Sequence, residues 1–287
     1  MNRKIASDTS RTAEMNCLTR AVSYRETNPL YKSGDSVAPL LIPNKLRPFT
    51  RFSPLRRLYR RLCPKGMYEY VVARTRTIDS VVEREAPLAR QVLVFGAGFD
   101  TRSVRFGARF PDARFFELDS PVTQRAKIDR LKQAGVALPE NTAFIAIDFD
   151  QDSLSEKLDA AGFLKGVRSL FILEGLTMYL KPESADALFQ LISDYAGPGS
   201  VVVFDAVLAS VVRGEGAIPG QQAVVRRVTN AGEDWLFGIE AGGSREFVER
   251  FGLKLTDEAD ASALEARYFG GETGLVNGTH VLIQAEK

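Results

Sequence analysis

Cysteine, histidine and tryptophan are nearly absent from this chain of 287 residues, which holds two, one and one of them respectively. Cys17 and Cys63 are too few for a disulfide framework or a zinc site. Free thiols in a reducing compartment are expected, and no metal ligands are assigned. His280 lies in a stretch that reads as a strand, where a lone histidine is expected to be a structural residue. Long apolar runs are also missing. The longest, Val37–Pro43, is broken by proline and far short of a bilayer span. Met1–Asn16 is polar and has no signal-peptide core. Charge of one sign is not in excess: the net is +2, so no global electrostatic partner follows. Hydrophobic content of 45% and charged content of 26% are ordinary for a globular protein. What these absences leave is a soluble, cytoplasmic protein, built as one large domain or one domain with a cap.

The pattern of what is present changes near residue 90. Before it, apolar residues recur at helical spacing: Ala13, Leu18, Ala21 and Val22, then Met67, Val71, Val72, Ile78 and Val82. After it, short Val/Ile/Phe runs alternate with amphipathic segments, which predicts an α/β sheet with covering helices. Seven strands are expected: 92–98, 114–119, 143–149, 169–174, 201–207, 253–257 and 280–285. The chain divides into a helical lid, 1–88, and a core, 89–287, with an insertion at about 208–245 on the substrate side. Gly-rich and holding Trp235, this insertion reads either as a substrate wall or as an ordinary surface helix. Ser53–Leu62 predicts a helix capped by Ser53, with Leu55, Leu58, Tyr59 and Leu62 as its apolar stripe and Arg56, Arg57, Arg60 and Arg61 opposite. Lys45–Arg76 carries ten Lys/Arg against one Glu. That excess suits a solvated face, tRNA, an acidic carrier protein or an anionic membrane. No heptad seam dictates an oligomeric state.

The densest signal is Gln91–Arg102. A β-rich run leads into Gly96-Ala97-Gly98, and about twenty residues later Arg114–Asp119 ends in carboxylates. Strand, glycine turn, helix, strand and acid make a nucleotide-binding unit. The glycines let backbone approach a ligand, and Asp119 is placed to accept from ribose hydroxyls. Thr101 stands where a dinucleotide fingerprint has its third glycine, and no tyrosine is followed four residues later by lysine. Both facts weigh against a nicotinamide oxidoreductase and toward a ligand without phosphates, such as S-adenosyl-L-methionine. Asp148-Phe149 and Glu174 end the next two predicted strands, where open α/β sheets bind ligands. Asp148 is placed to accept from an adenine amino group while Phe149 covers the ring.

These segments resemble the leucine carboxyl methyltransferase superfamily, in its bacterial branch of class I S-adenosylmethionine-dependent O-methyltransferases. Arg20-Ala21 with Leu30 and Asp35, Arg74–Asp79, Phe95–Arg102, Phe116–Pro121 and Leu173–Leu180 carry the similarity, over roughly residues 10 to 208. Ser36 replaces the proline usual after the turn aspartate. The resemblance implies a Rossmann-like class I methyltransferase fold, a seven-stranded mostly parallel sheet with helices on both faces and an N-terminal helical lid. It implies that Gly96 and Gly98 admit the methionine part of the cofactor, Asp119 holds the ribose, and Asp148 with Phe149 the adenine. Arg74 would pair with the cofactor carboxylate, helped by Arg20, and Glu174 would lie near the methionine moiety. Arg76 is expected in solvent. Met178 and Tyr179 lie where the family places the acceptor, and Tyr179 is a candidate substrate contact. The expected reaction is O-methylation of a small metabolite, a carboxylate or other oxygen, on a compound such as a polyketide-type acid. A carboxylate is already ionised at neutral pH and needs no base, so alignment and exclusion of water suffice. A hydroxyl acceptor wants a base, for which Tyr179 and Glu174 are the candidates. Two other classes stay open: a cofactor-binding interaction module without turnover, acting through Arg56–Arg61, and an NAD(P)-dependent oxidoreductase.

Overall fold

The computed structural model describes residues 9–148, 151–216 and 218–287. Five helices come first: α1 (Arg11–Tyr24), α2 (Ala38–Leu41), α3 (Pro48–Arg51), α4 (Ser53–Leu62) and α5 (Met67–Glu85). The strands are β1 (Gln91–Phe95), β2 (Arg114–Asp119), β3 (Thr142–Ala146), β4 (Ser169–Leu173), β5 (Val201–Val207), β6 (Lys254–Ala259) and β7 (His280–Glu286). They form one sheet in the order β3-β2-β1-β4-β5-β7-β6. β1 to β5 run parallel, and β7 inserts antiparallel between β5 and β6. Every residue of β1, β4 and β5 is buried. Such unbroken apolar runs belong to strands covered on both faces.

All seven predicted strands exist, and 114–119 and 201–207 have the expected ends. The first stops at Phe95 rather than Gly98. Gly96 and Gly98 take φ of 56° and 49°, a left-handed backbone that ends the ladder. The third stops at Ala146 instead of 149, and the sixth runs on to Ala259.

One core packs Phe95, Phe116, Phe171 and Phe204 under the later helices. On the opposite face α5 lays Tyr70, Ala73, Ile78 and Val82 against Val92, Val94 and Ile172. α1 sits above, its Leu18, Ala21 and Val22 packed with Leu41, Val72 and Phe99. The helical segment before the sheet is therefore anchored to the core through α5 and Phe99.

α4 spans the predicted residues, but its faces differ from expectation. Leu58 and Leu62 are 45% and 65% exposed, whereas Arg56 is buried and donates from Nη1 to the Thr50 carbonyl. Arg60 turns inward to Glu69, and its guanidinium lies over the Tyr31 ring. Helical spacing cannot decide which of two mixed faces a short helix buries; the Tyr59 contacts with Phe49 and Tyr68 decide it here. Phe52, not Ser53, occupies the cap, and Pro54 takes the second helical position. Among the described residues no helix is long and apolar enough to cross a membrane, and no group of His, Cys, Asp or Glu could hold a metal ion.

Candidate active site

The C-terminal ends of β1, β2 and β4 open into a hollow of about 920 Å³. Arg74, Gly96, Gly98, Asp119 and Glu174 all line it, as do Arg20 and Tyr179. The glycine turn shapes its floor. A Cβ at Gly98 would stand 3.1 Å from the Cβ of Ala13 in α1, and one at Gly96 3.0 Å from Leu176. Helix α1 closes over the top. Ser10 caps it by accepting from the Ala13 N–H, and the same hydroxyl donates to Glu233 of the insertion at 3.0 Å. The cap of α1 and Glu233 thus meet across the mouth.

Asp119 accepts from the backbone N–H groups of Gly98 and Ser120. Burial raises its pKa, and those donors only partly offset it. A carboxylate in that state gains from further donors, such as paired hydroxyls. Asp148 lies outside the lining of this hollow; its Oδ2 accepts from Gln151 Nε2, and its N–H donates to Asp152. Phe149 falls outside the described residues.

Arginines and acids below the floor form a buried network. Arg74 donates from Nη1 to Asp205 at 2.7 Å, and Asp205 also accepts from Tyr70 Oη and the Gly175 N–H. Arg102 bonds Asp79, Asp100 and Glu174. Burial works against ionisation of Glu174, yet Arg102, Arg74 and Arg20 override it and hold its pKa far below the carboxylate range. Arg74 was expected to face a ligand carboxylate; its Nη atoms are taken by Asp205 and, as an ion pair at 3.0 Å, by Glu174. Three buried atoms of the network make no hydrogen bond: Arg74 Nε, Arg102 Nη2 and Glu174 Oε1, the last held only by its ion pair with Arg74. Of these residues Arg74 and Glu174 line the hollow, one with an unbonded donor and the other with an unbonded acceptor. Arg20 is committed to Asp35 and the Phe99 carbonyl. Arg76 is half-buried against the Tyr268 ring and lines neither this hollow nor its neighbour.

A second hollow of about 770 Å³ adjoins the first. Thr12, Asn16, Arg74, Gly175 and Tyr179 line both. Its other walls are mostly aromatic and apolar, including Tyr59, Tyr68, Met178 and Val224, with Thr19 and Arg227 among them. Trp235 lines it too, so the insertion supplies part of this wall. Tyr179 stands at the junction, and burial pushes its pKa up to about 12, which keeps the phenol protonated at neutral pH. His280, expected to be a packing residue, also lines this hollow. Its ring stacks on Tyr70 at 4.5 Å and meets the edge of Trp235. A period-two strand reading gives no sign of this, because His280 is the first residue of β7 and reaches the site only through pairing with Val207 at the end of β5.

A mostly parallel sheet in this order, with a glycine turn, an acidic strand end and a covering helix at one hollow, is the Rossmann-like fold of the class I methyltransferases. The chain belongs to the leucine carboxyl methyltransferase family, whose model matches residues 13–193. It is 30% identical over 213 residues to a "Putative S-adenosyl-L-methionine-dependent methyltransferase" of Mycobacteroides abscessus, covering 71% of this chain and 68% of that one. It is 29% identical over 163 residues to YktD of Bacillus subtilis (strain 168), which has the same descriptive name; this covers 56% of the chain and spans 53% of the relative. A solved structure described as a "putative methyltransferase" from Thermobifida fusca YX shares the fold, with a TM-score of 0.54 at 20% identity, over 82% of this chain and 89% of that one.

Proposed function

We propose that this chain is an S-adenosyl-L-methionine-dependent methyltransferase that methylates an oxygen of a small, largely apolar metabolite, such as a polyketide-type acid. The observation that carries the reading is the pair of joined hollows: one with glycine floor, acid and spare amino-acid partners, the other apolar and aromatic, meeting at Tyr179. Family membership and the names of the relatives support the cofactor. Gly96 and Gly98 let it approach the backbone, and Asp119 receives the ribose hydroxyls. Arg74 Nε and Glu174 Oε1 take the carboxylate and ammonium of its methionine part. Asp148 and Phe149 remain the proposed adenine contacts. When bound, the cofactor supplies a methyl group made electrophilic by the positive sulfur.

The protein's own work is alignment and drying. The wall residues of the second hollow exclude water, and Tyr179 borders both compartments where the two reactants meet. A carboxylate acceptor reacts as the anion it already is, whereas a hydroxyl must shed a proton.

Calorimetry tests the cofactor assignment. S-adenosylmethionine should bind, and Asp119→Ala should weaken binding by roughly ten- to a hundred-fold, the worth of hydrogen bonds to a charged group. Unchanged affinity in that variant refutes the site. Tritiated methyl transfer into an organic extract of cell metabolites tests turnover; label found in protein or RNA instead would count against a small-molecule acceptor.

A further inference from the structure

Behind the second hollow, which His280 lines, a buried hydrogen-bond chain fixes the tautomer of the molecule's sole histidine. Asn277 is 2% exposed, and its Nδ2 donates to the carbonyls of Lys65 and Pro219 at 2.9 and 3.4 Å. That fixes the amide: Oδ1 is the acceptor that faces Thr279. The Thr279 hydroxyl, fully buried, donates to this Oδ1. Having spent its one proton there, Thr279 Oγ1 only accepts from its other neighbour, His280 Nδ1, at 2.7 Å. Nδ1 therefore carries the ring proton. Nε2 holds a lone pair and has no hydrogen-bond partner among the described residues. Burial lowers the pKa of the ring to about 4, so it is neutral at physiological pH. Asp205 of β5 and Arg74 of α5 are the charged groups that act on it, in opposite directions. Arg227 and Cys63 also line this hollow.

We propose that His280 Nε2 is the proton acceptor for a hydroxyl-bearing substrate, and that this hollow selects a phenolic or enolic O–H over a carboxylate. The proposal rests on the methyltransferase reading and deepens it. A lone pair in the wall attracts an O–H donor and repels an ionised carboxylate, which has only acceptors to offer. As the acceptor oxygen gains the methyl group, its O–H bond breaks and the proton passes to Nε2. The sulfur keeps the electron pair of the broken S–C bond and becomes neutral. Loss of that positive charge raises the basicity of the imidazole in the same step, and the imidazolium later returns its proton to solvent. Asn277 and Thr279 are positioning residues: they act only through the ring.

With one histidine in the chain, a ¹⁵N-histidine-labelled sample gives a single unambiguous pair of ring nitrogen signals. At pH 7 the expected spectrum shows Nδ1 protonated and Nε2 bare, the rarer tautomer of free imidazole. Thr279→Val, close in shape, should release the lock and populate the Nε2–H form. In protein saturated with S-adenosylhomocysteine, 2-naphthol should shift the Nε2 signal and bind about ten-fold more tightly than 2-naphthoate, the cost of leaving a buried acceptor facing another acceptor. An Nε2–H tautomer in the unaltered protein, an unchanged ring in Thr279→Val, no response to 2-naphthol, or tighter binding of the naphthoate overturns the proposal. Calorimetry on the same samples keeps the two readings apart. Failure to bind S-adenosylhomocysteine condemns the cofactor assignment, whereas binding with the wrong tautomer condemns only the role of His280.

Discussion

Arg102 shows what single residues carry here. It is 2% exposed and holds Asp79, Asp100 and Glu174 together. Removing it strips Asp100 of its ion pair and leaves Asp79 to Arg105 and Glu174 to Arg74 alone. Arg102→Met is expected to cost about 3–5 kcal/mol, the usual penalty for breaking a buried pair, read as a lower urea midpoint. His280 makes a second prediction. The unfolded chain takes up a proton near the ordinary pKa of 6.5, while the folded chain refuses it until about pH 4. Its contribution is whole above pH 6.5 and drains away as pH falls toward 4, on the order of 3 kcal/mol in all. Thermal melts of His280→Gln should therefore fall less steeply than those of the unaltered protein over that window. That Asp119, Glu174 and the two glycines line one hollow was legible because each stands at or just past the end of a recognisable strand. Asn277 and Thr279 were not, because their role exists only once β7 is paired and Lys65 is brought beside it.

Elements were easier to read than the faces they turn inward. The strands announced themselves through Val, Ile and Phe runs, and their number, with most of their bounds to within one residue, follows from the sequence. Positive φ at Gly96 and Gly98 trimmed the first of them, a local rule that overrides β propensity. α4 shows the opposite case, since its length was legible and its orientation was not. Four arginines and three leucines on ten residues leave two plausible inner faces, and tertiary contacts through Tyr59 choose between them. The choice is testable by urea denaturation. Leu58→Ser with Leu62→Ser should change stability by no more than about 0.5 kcal/mol per site, as for exposed positions. Tyr59→Ala should cost roughly 3–5 kcal/mol, as for a buried aromatic.

At the scale of the whole molecule, the N-terminal helices and the segment around Glu233, far apart in the chain, meet at one mouth. Thr12 and Asn16 of α1 wall both hollows. Ligand binding should therefore tighten the entire fold and not the sheet alone. S-adenosylmethionine at a hundred times its dissociation constant is expected to add about 2.7 kcal/mol, which for a chain of this size is a rise in Tm of roughly 5 °C or more. A melt unmoved by saturating ligand would contradict a cofactor that seats against α1 and the sheet together. Because Trp235 is the chain's sole indole and borders the second hollow, one fluorophore stands at the wall of the space proposed for the acceptor. Its emission can follow arrival and departure of that compound in real time, with no dye attached and no other tryptophan to subtract.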